Sequence, residues 1–453
     1  MFHDPELMPF APRSRPSLRA AVTNMIENWP PEAYREGHAV VRGVRPILPA
    51  TLLLTDPVLI EEALVTRAEE FVRDRFQTRA LSSAFSRKSL FFAEGADWRW
   101  QRRAAAPAFR HEKLLDLVPV FADRAHAQAQ EWRSTGNGAI IDMAPAMSKL
   151  TLAIILQAVL GQGAEALDQQ KFLAALSPRV STIAWRFLFA RMGLPEATPF
   201  PGSRKAAESG RWLSEAISRL VANRRIEVGG SKDILALLLS AKDPETGRAM
   251  SDAELISNLY MFMVAGHETM ATALAWTLWL LAKDQATQER LRAEIEAVVG
   301  QRVIGSEDID HLTFTRQVLQ ESMRLFPPAI GVGRAPREDI MIGPHEIRGG
   351  ELVIMATWCV HRHEKLWKEP NGFDPDRFAA EKVKSRLRCA YLPFGAGPRV
   401  CIGSNFAMLE MAVILVTLVR GFRFKPAPGH RIALATHLTL RSRNGLPLVI
   451  EVL

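Results

Sequence analysis

Ten residues near the C-terminal end constrain this chain more tightly than any other stretch: Phe394, Gly395, Ala396, Gly397, Pro398, Arg399, Val400, Cys401, Ile402 and Gly403. The glycines permit tight backbone turns and the close approach of a large flat ligand. Arg399 can give a charge-assisted hydrogen bond to an anionic group. The apolar run that begins at Phe406 predicts a helix from Asn405 to about Gly421. Cys401 therefore falls just ahead of a helix N-terminus, where the dipole favours a thiolate. Two readings follow: an inert cysteine buried after a turn, or a sulfur presented to a metal.

A chain of 453 residues can hold two or three ordinary domains or one large enzyme, and 48% apolar with 23% charged residues suits a sizeable core. The net charge of +8 suggests an acidic partner or surface, but no nucleic-acid-binding module is spelled out, so nucleic acid is not expected. Three cysteines (Cys359, Cys389 and Cys401) cannot build a disulfide framework, which points to a reducing, cytoplasmic setting. The first residues lack the pattern of a signal peptide or membrane anchor. The apolar stretches near Leu152–Leu160 and Met411–Val419 fall short of the roughly 18–20 residues of a membrane span. No span is expected.

Residues 1–37 read as a proline-rich N-terminal segment around one helical stretch, Ser17–Asn28, and 38–453 as a single domain. Extended patterns at Ala39–Val41, Ile47 and Thr51–Leu54 precede Thr55-Asp56-Pro57, a cap with proline at the first helical position, which opens a helix to about Thr66. Apolar residues three or four apart then predict helices over Lys113–Ser134, Met143–Leu160, Asp168–Leu176, Ser203–Val228 and Asp233–Ser240. After a turn at residues 243–247, Ser251 and Glu254 form a capping box for a long helix to about Leu281. Helices over Asp284–Val299 and within Glu307–Phe326 follow, then short strands and loops to Arg388. Strands over Ile432–Leu440 and Leu446–Val452 close the chain. The fold class is mostly α with small β regions.

Three further patterns carry chemistry. Ala265-Gly266-His267-Glu268-Thr269 lies within the long helix, and a mid-helix glycine costs about 1 kcal/mol relative to alanine. A missing side chain lets a ligand approach, and a threonine hydroxyl bonding back along the helix can open a bulge; an ordinary glycine in a buried helix is the alternative. Glu321 and Arg324 share a helix face and can pair. Trp98 and Arg102, four apart, can offer an indole N–H and a guanidinium to one anion, or form an ordinary basic face.

At every fixed position the loop from Phe394 to Gly403 is similar to the haem-binding loop of cytochrome P450 enzymes, Phe-Gly-x-Gly-x-Arg-x-Cys-x-Gly. Ala265–Thr269 resembles that family's oxygen-binding helix segment, with Met270 where a second hydroxyl residue often stands. Trp98 and Arg102 resemble its propionate-binding W-x-x-x-R, and Arg334 and His361 fall where propionate contacts are often placed. Glu321 and Arg324 with Arg377 of Phe373-Asp374-Pro375-Asp376-Arg377-Phe378 resemble its three-residue structural lock. These matches follow the family's order and cover nearly the whole chain.

The resemblance implies a single-domain P450 fold, a triangular helical prism around a buried haem. It implies haem b with Cys401 as axial iron ligand and with Trp98, Arg102, Arg334, His361, Arg399, Phe394, Gly395 and Gly403 as cofactor contacts. Glu268 and Thr269, with Ala265 and Gly266, would deliver protons to bound oxygen; His267 is expected to pack or be solvated. The implied reaction inserts one atom of O2 into a small hydrophobic substrate: a fatty acid, terpenoid or aromatic. Electrons would come from a separate ferredoxin or flavodoxin with its reductase, steered by Arg99, Arg103, Lys382, Lys384, Arg386 and Arg388. By analogy Arg79–Phe92, Phe172–Leu194, Met263–Thr269, Ile330–Val332 and Ala435–Leu438 line the substrate pocket, with Arg79 or Arg87 available to a carboxylate. The protein is expected to be a monomer. Alternatives are a hydrogen-peroxide-driven peroxygenase and a non-catalytic haem sensor or ligand carrier.

Overall fold

The long helix of the sequence analysis is Asp252–Lys283, and nearly every side chain along it is buried, as expected of a helix apolar on all sides. The capping box forms as read: Ser251 N–H donates to Glu254 at 3.0 Å and the serine hydroxyl does so at 2.7 Å. Helix Met143–Leu160 packs along the long helix, and the helix after the cysteine, Ser404–Gly421, packs on Val118–Ser134. Stacked rings of Trp276 and Phe326, 4.1 Å apart, join the long helix to the end of Thr313–Leu325. This computed structural model describes residues 1–8, 17–41, 50–82, 85–226, 233–243, 245–436 and 438–453. The extended expectation at Ile47, the end of the Ser203–Val228 helix and Pro244 lie outside them, as do positions 83, 84 and 437 of the pocket-lining stretches.

Several boundaries differ from the sequence reading. The Lys113–Ser134 pattern is two helices, His111–Leu115 and Val118–Ser134, because Pro119 lacks an N–H and suits only a first turn. The Asp168–Leu176 pattern runs on as Gln169–Ser181, with Pro178 inside it. The single strand expected over Ile432–Leu440 is instead a hairpin: Leu434–Thr436 pairs antiparallel with Leu440–Ser442. The helices Met143–Leu160 and Ser404–Gly421 reach 18 residues, which corrects the shorter apolar stretches read from sequence. By length and composition they could cross a membrane; here their side chains are mostly buried in the protein core.

The sheet that matters for the site runs in the order His38–Val41, Thr51–Leu54, Val353–Met355, Val332–Pro336, Phe71–Val72. Its last pairing sets Phe71 against Pro336 and Val72 against Ala335. Continued one residue, that antiparallel register places Arg73 opposite Arg334. Like charges directly opposed are destabilising unless an anion lies between or beside them.

Candidate active site

The cysteine loop is shaped by its glycines. Gly397 has φ +72°, and a Cβ there would lie 1.8 Å from the Leu64 carbonyl oxygen, so only glycine fits. Cys401 N–H donates to the Phe394 carbonyl at 2.9 Å and closes the loop. Beside Gly403 the space a Cβ would occupy is open. The Cys401 thiol is exposed, yet protein packs around it closely enough that burial pushes its pKa up. The Gly403 backbone N–H and the Arg102 guanidinium act the other way but lose to desolvation, so the expected thiolate is not made by the helix end alone. A cation bound at sulfur would deprotonate it outright.

A second opening lies on the long helix. Between Ser257 and Ala282 every residue is buried except Ala265, Gly266 and Thr269. Thr269 Oγ1 donates to the Ala265 carbonyl at 2.7 Å, the back-bond anticipated from sequence, but the helix continues without the bulge. Gly266 also has a packing role: a Cβ there would stand 2.9 Å from Ile155 Cδ1 on Met143–Leu160, so the glycine lets two helices close up. His267 is packed, its Nε2 2.8 Å from the Ser148 hydroxyl. Burial, followed by the charge of Arg441, lowers its pKa to about 4.

Glu268 is held by partners from outside its own helix. It is buried, pairs with Arg441, and accepts a hydrogen bond from Thr439 Oγ1 at 2.6 Å. The hairpin Leu434–Ser442 supplies both partners. The Arg441 side chain is 44% exposed and that of Glu268 8%, so the pair joins solvent to the interior.

Positive charge collects beside the cysteine loop. Arg334 is buried, its pKa lowered to about 10 by desolvation and by Arg399. Arg73 is pushed well down by burial and by both Arg334 and Arg399, and its Nε has no hydrogen-bond partner. Arg399 donates to the Ala93 carbonyl at 2.9 Å, pairs with Glu94 at 2.5 Å, and lies 4.6 Å over the Trp98 ring. Among the described residues these three guanidiniums share one nearby carboxylate, Glu94, which leaves an excess of positive charge. Buried charges demand partners, and two carboxylates of opposite sign would balance this set. Together with a reachable sulfur and an open helix window, these residues fit a haem.

Sequence reasoning missed Arg73, Glu94, Thr439 and Arg441, which no short motif contains; the strand register and the hairpin reveal them. His361 lies apart from the arginine group. Its Nε2 accepts the Leu392 N–H at 2.9 Å, its ring stacks on Tyr391, and its charged neighbours are Arg324 and Arg362. Glu321, Arg324 and Arg377 do meet. Arg324 Nε donates to Glu321 at 2.6 Å with both side chains fully buried, and Arg377 Nε lies 3.3 Å from Glu321. Arg324 also donates to the His361, Pro370 and Gly372 carbonyls. Of the expected basic patch, Arg99 lies 4.0 Å from Glu69, Arg103 pairs with Asp243 and Glu245, Arg388 pairs with Glu61, and Arg386 lies over Trp367 and Phe378. Lys382 and Lys384 are exposed.

A mostly helical prism with a reachable cysteine loop on one side and a threonine window on its central helix defines a haem-thiolate oxidoreductase. The cytochrome P450 family model matches residues 41–447, and the chain belongs to that family as a cytochrome P450 monooxygenase. It is 30% identical over 343 residues to cyclooctat-9-en-7-ol 5-monooxygenase of Streptomyces melanosporofaciens, covering 75% of this chain and 73% of that protein. It is 32% identical to a cytokinin hydroxylase of Arabidopsis thaliana, covering 88% and 79%. The crystal structure of the cytochrome P450DA haem domain superposes with a TM-score of 0.80 at 25% identity, covering 92% of this chain and 90% of that one.

Proposed function

We propose that this chain binds haem b through Cys401 and hydroxylates a hydrophobic fatty acid, terpenoid or aromatic substrate. One observation carries the reading: an exposed cysteine and a half-buried threonine on an otherwise buried helix, in one chain with an excess of buried guanidiniums. When bound, haem supplies the activation of O2, favoured by an anionic sulfur ligand. Arg73, Arg334 and Arg399 would hold its carboxylates, with Trp98 and Arg102 beside them.

The protein's own part is proton handling and exclusion of water. Thr269 Oγ1 spends its proton on the Ala265 carbonyl, which leaves its lone pairs to accept one from water. Glu268 Oε1 is held by Arg441 and Thr439, so a proton reaching it from solvent passes the half-exposed Arg441 first. Terpenoid substrates gain support from relatives named cyclooctat-9-en-7-ol 5-monooxygenase and 11-oxo-beta-amyrin 30-oxidase. Electrons would arrive from a separate ferredoxin or flavodoxin with its reductase, to a cytoplasmic monomer.

Screening a hydrophobic compound library for spin-state changes, then measuring product per reductant with each carrier, tests the proposal. Product coupled to reductant and O2 is expected. Oxygen use without product for every compound that binds would favour a sensor or carrier instead, and turnover with peroxide alone a peroxygenase.

A further inference from the structure

The first residues of the chain, Met1–Leu7, lie against the segment that carries Arg377. Asp4 shapes them: its Oδ1 accepts the Glu6 N–H at 2.8 Å and its carbonyl the Leu7 N–H at 2.9 Å, around a short helical turn that starts at Pro5. Phe2 and Phe373 exchange both backbone hydrogen bonds at 2.8 Å. His3 Nε2 meets the Glu369 carboxylate at 2.8 Å, and Met1 Sδ accepts from Arg377 Nη2 at 3.6 Å. Lys283, the last residue of the long helix, pairs with Asp4 at 3.0 Å and with Glu6 at 2.7 Å. Leu7 is fully buried, and its carbonyl accepts from Arg362 Nη2 at 3.2 Å. Among the described residues that carbonyl is the one hydrogen-bond acceptor of a buried guanidinium whose Nε and Nη1 have none.

The buried triad holds the same segment. Arg324 donates to the Pro370 and Gly372 carbonyls at 2.6 and 2.8 Å, and the Asp374 N–H donates to Glu321 at 2.8 Å. Glu369 stands between the two sets of contacts at φ +50°, a left-handed conformation that a residue with a side chain keeps only when its surroundings enforce it. Its carboxylate meets His3, and its carbonyl accepts from Arg377 Nη2 at 3.0 Å. From the triad the contacts run on to the cysteine loop. Arg324 donates to the His361 carbonyl at 2.7 Å, His361 Nε2 accepts the Leu392 N–H at 2.9 Å, and the Leu392 carbonyl accepts the Gly395 N–H at 3.1 Å. Contiguous hydrogen bonds and ion pairs of this kind carry energetic coupling between distant groups.

We propose that Met1–Leu7 form a strap whose docking sets the grip of Glu321 and Arg324 on residues 369–377, and through it the hold on haem. The last step rests on the reading of Cys401 as the haem ligand; the coupling of strap to triad does not.

Two neighbouring amides report the two grips separately, since the Phe373 N–H donates to Phe2 and the Asp374 N–H to Glu321. Residue-resolved hydrogen exchange on the haem-loaded full chain, with the rate of haem transfer to apomyoglobin, tests the proposal in Leu7→Ala and Lys283→Gln. Leu7→Ala removes the strap's buried anchor, and both amides should exchange about tenfold or more faster, with haem lost faster by a similar factor. Lys283→Gln, which leaves every apolar side chain in place and decides the matter should Leu7→Ala fail to fold, should give about two- to fivefold on the same three rates. Amides of the long helix should stay within about twofold of wild type. Faster exchange at Phe373 with Asp374 unchanged would make the strap a passive tether and overturn the proposal. So would unchanged haem transfer, or equal loosening of the long helix. A wild-type chain that takes up no haem would count against the Cys401 reading, while the two amides would still decide the coupling.

Discussion

In the proposed function coupling depends on Thr269, whose hydroxyl is the polar group that the long helix carries at its half-buried window. Thr269→Ala should keep reductant consumption within a few fold and divert most of it from product to peroxide; full coupling in the variant would show that the hydroxyl has no part in proton delivery. His267, buried and hydrogen-bonded to the Ser148 hydroxyl, makes a pH prediction. Its pKa is about 4 in the folded protein and 6.5 as a free side chain, lowered first by desolvation and then by Arg441. Between those values the unfolded chain binds a proton that the folded one does not, so stability falls as pH drops through this window. The loss attributable to His267 is about 3 kcal/mol. His267→Gln should flatten denaturation midpoints between pH 6.5 and 4 relative to wild type; an unchanged slope would place the acid sensitivity elsewhere. Cys401, Arg399 and Thr269 were legible in the sequence because short motifs fix them. Arg73 and Arg441 were not, because what places them is a strand register and a hairpin turn.

Among the elements, the contact between the long helix and Met143–Leu160 rests on Gly266. Alanine there gains about 1 kcal/mol of helix propensity, but its Cβ would meet Ile155 Cδ1 at 2.9 Å, an overpacking that costs about 1–3 kcal/mol. Gly266→Ala should therefore be neutral to destabilising by about 2 kcal/mol. Adding Ile155→Val, which removes the clashing methyl, should restore stability beyond the sum of the two single changes, as a chemical-denaturation cycle would show. Strict additivity would mean that the two helices do not meet at this point. Sequence periodicity found most of these helices, since their apolar spacing is local. It read the Leu434–Ser442 hairpin as one strand, because a run such as Ile432, Leu434 and Leu440 does not reveal where the chain reverses.

Across the whole molecule, Glu321 ties Thr313–Leu325 to the segment that ends at Arg377. Removing its carboxylate leaves buried guanidiniums unpaired, at a cost of about 3–5 kcal/mol. Glu321→Ala should fail to retain haem or fold only partly, whereas a fully loaded, equally stable variant would make the triad dispensable. The central claim is that Cys401 ligates haem iron as a thiolate. Its most direct test is the absorption spectrum of the reduced protein under carbon monoxide. Wild type should show the red-shifted Soret band of a thiolate-ligated haem, and Cys401→Ala should lose it. A band at the unshifted position in wild type, or one that survives the substitution, would contradict the account.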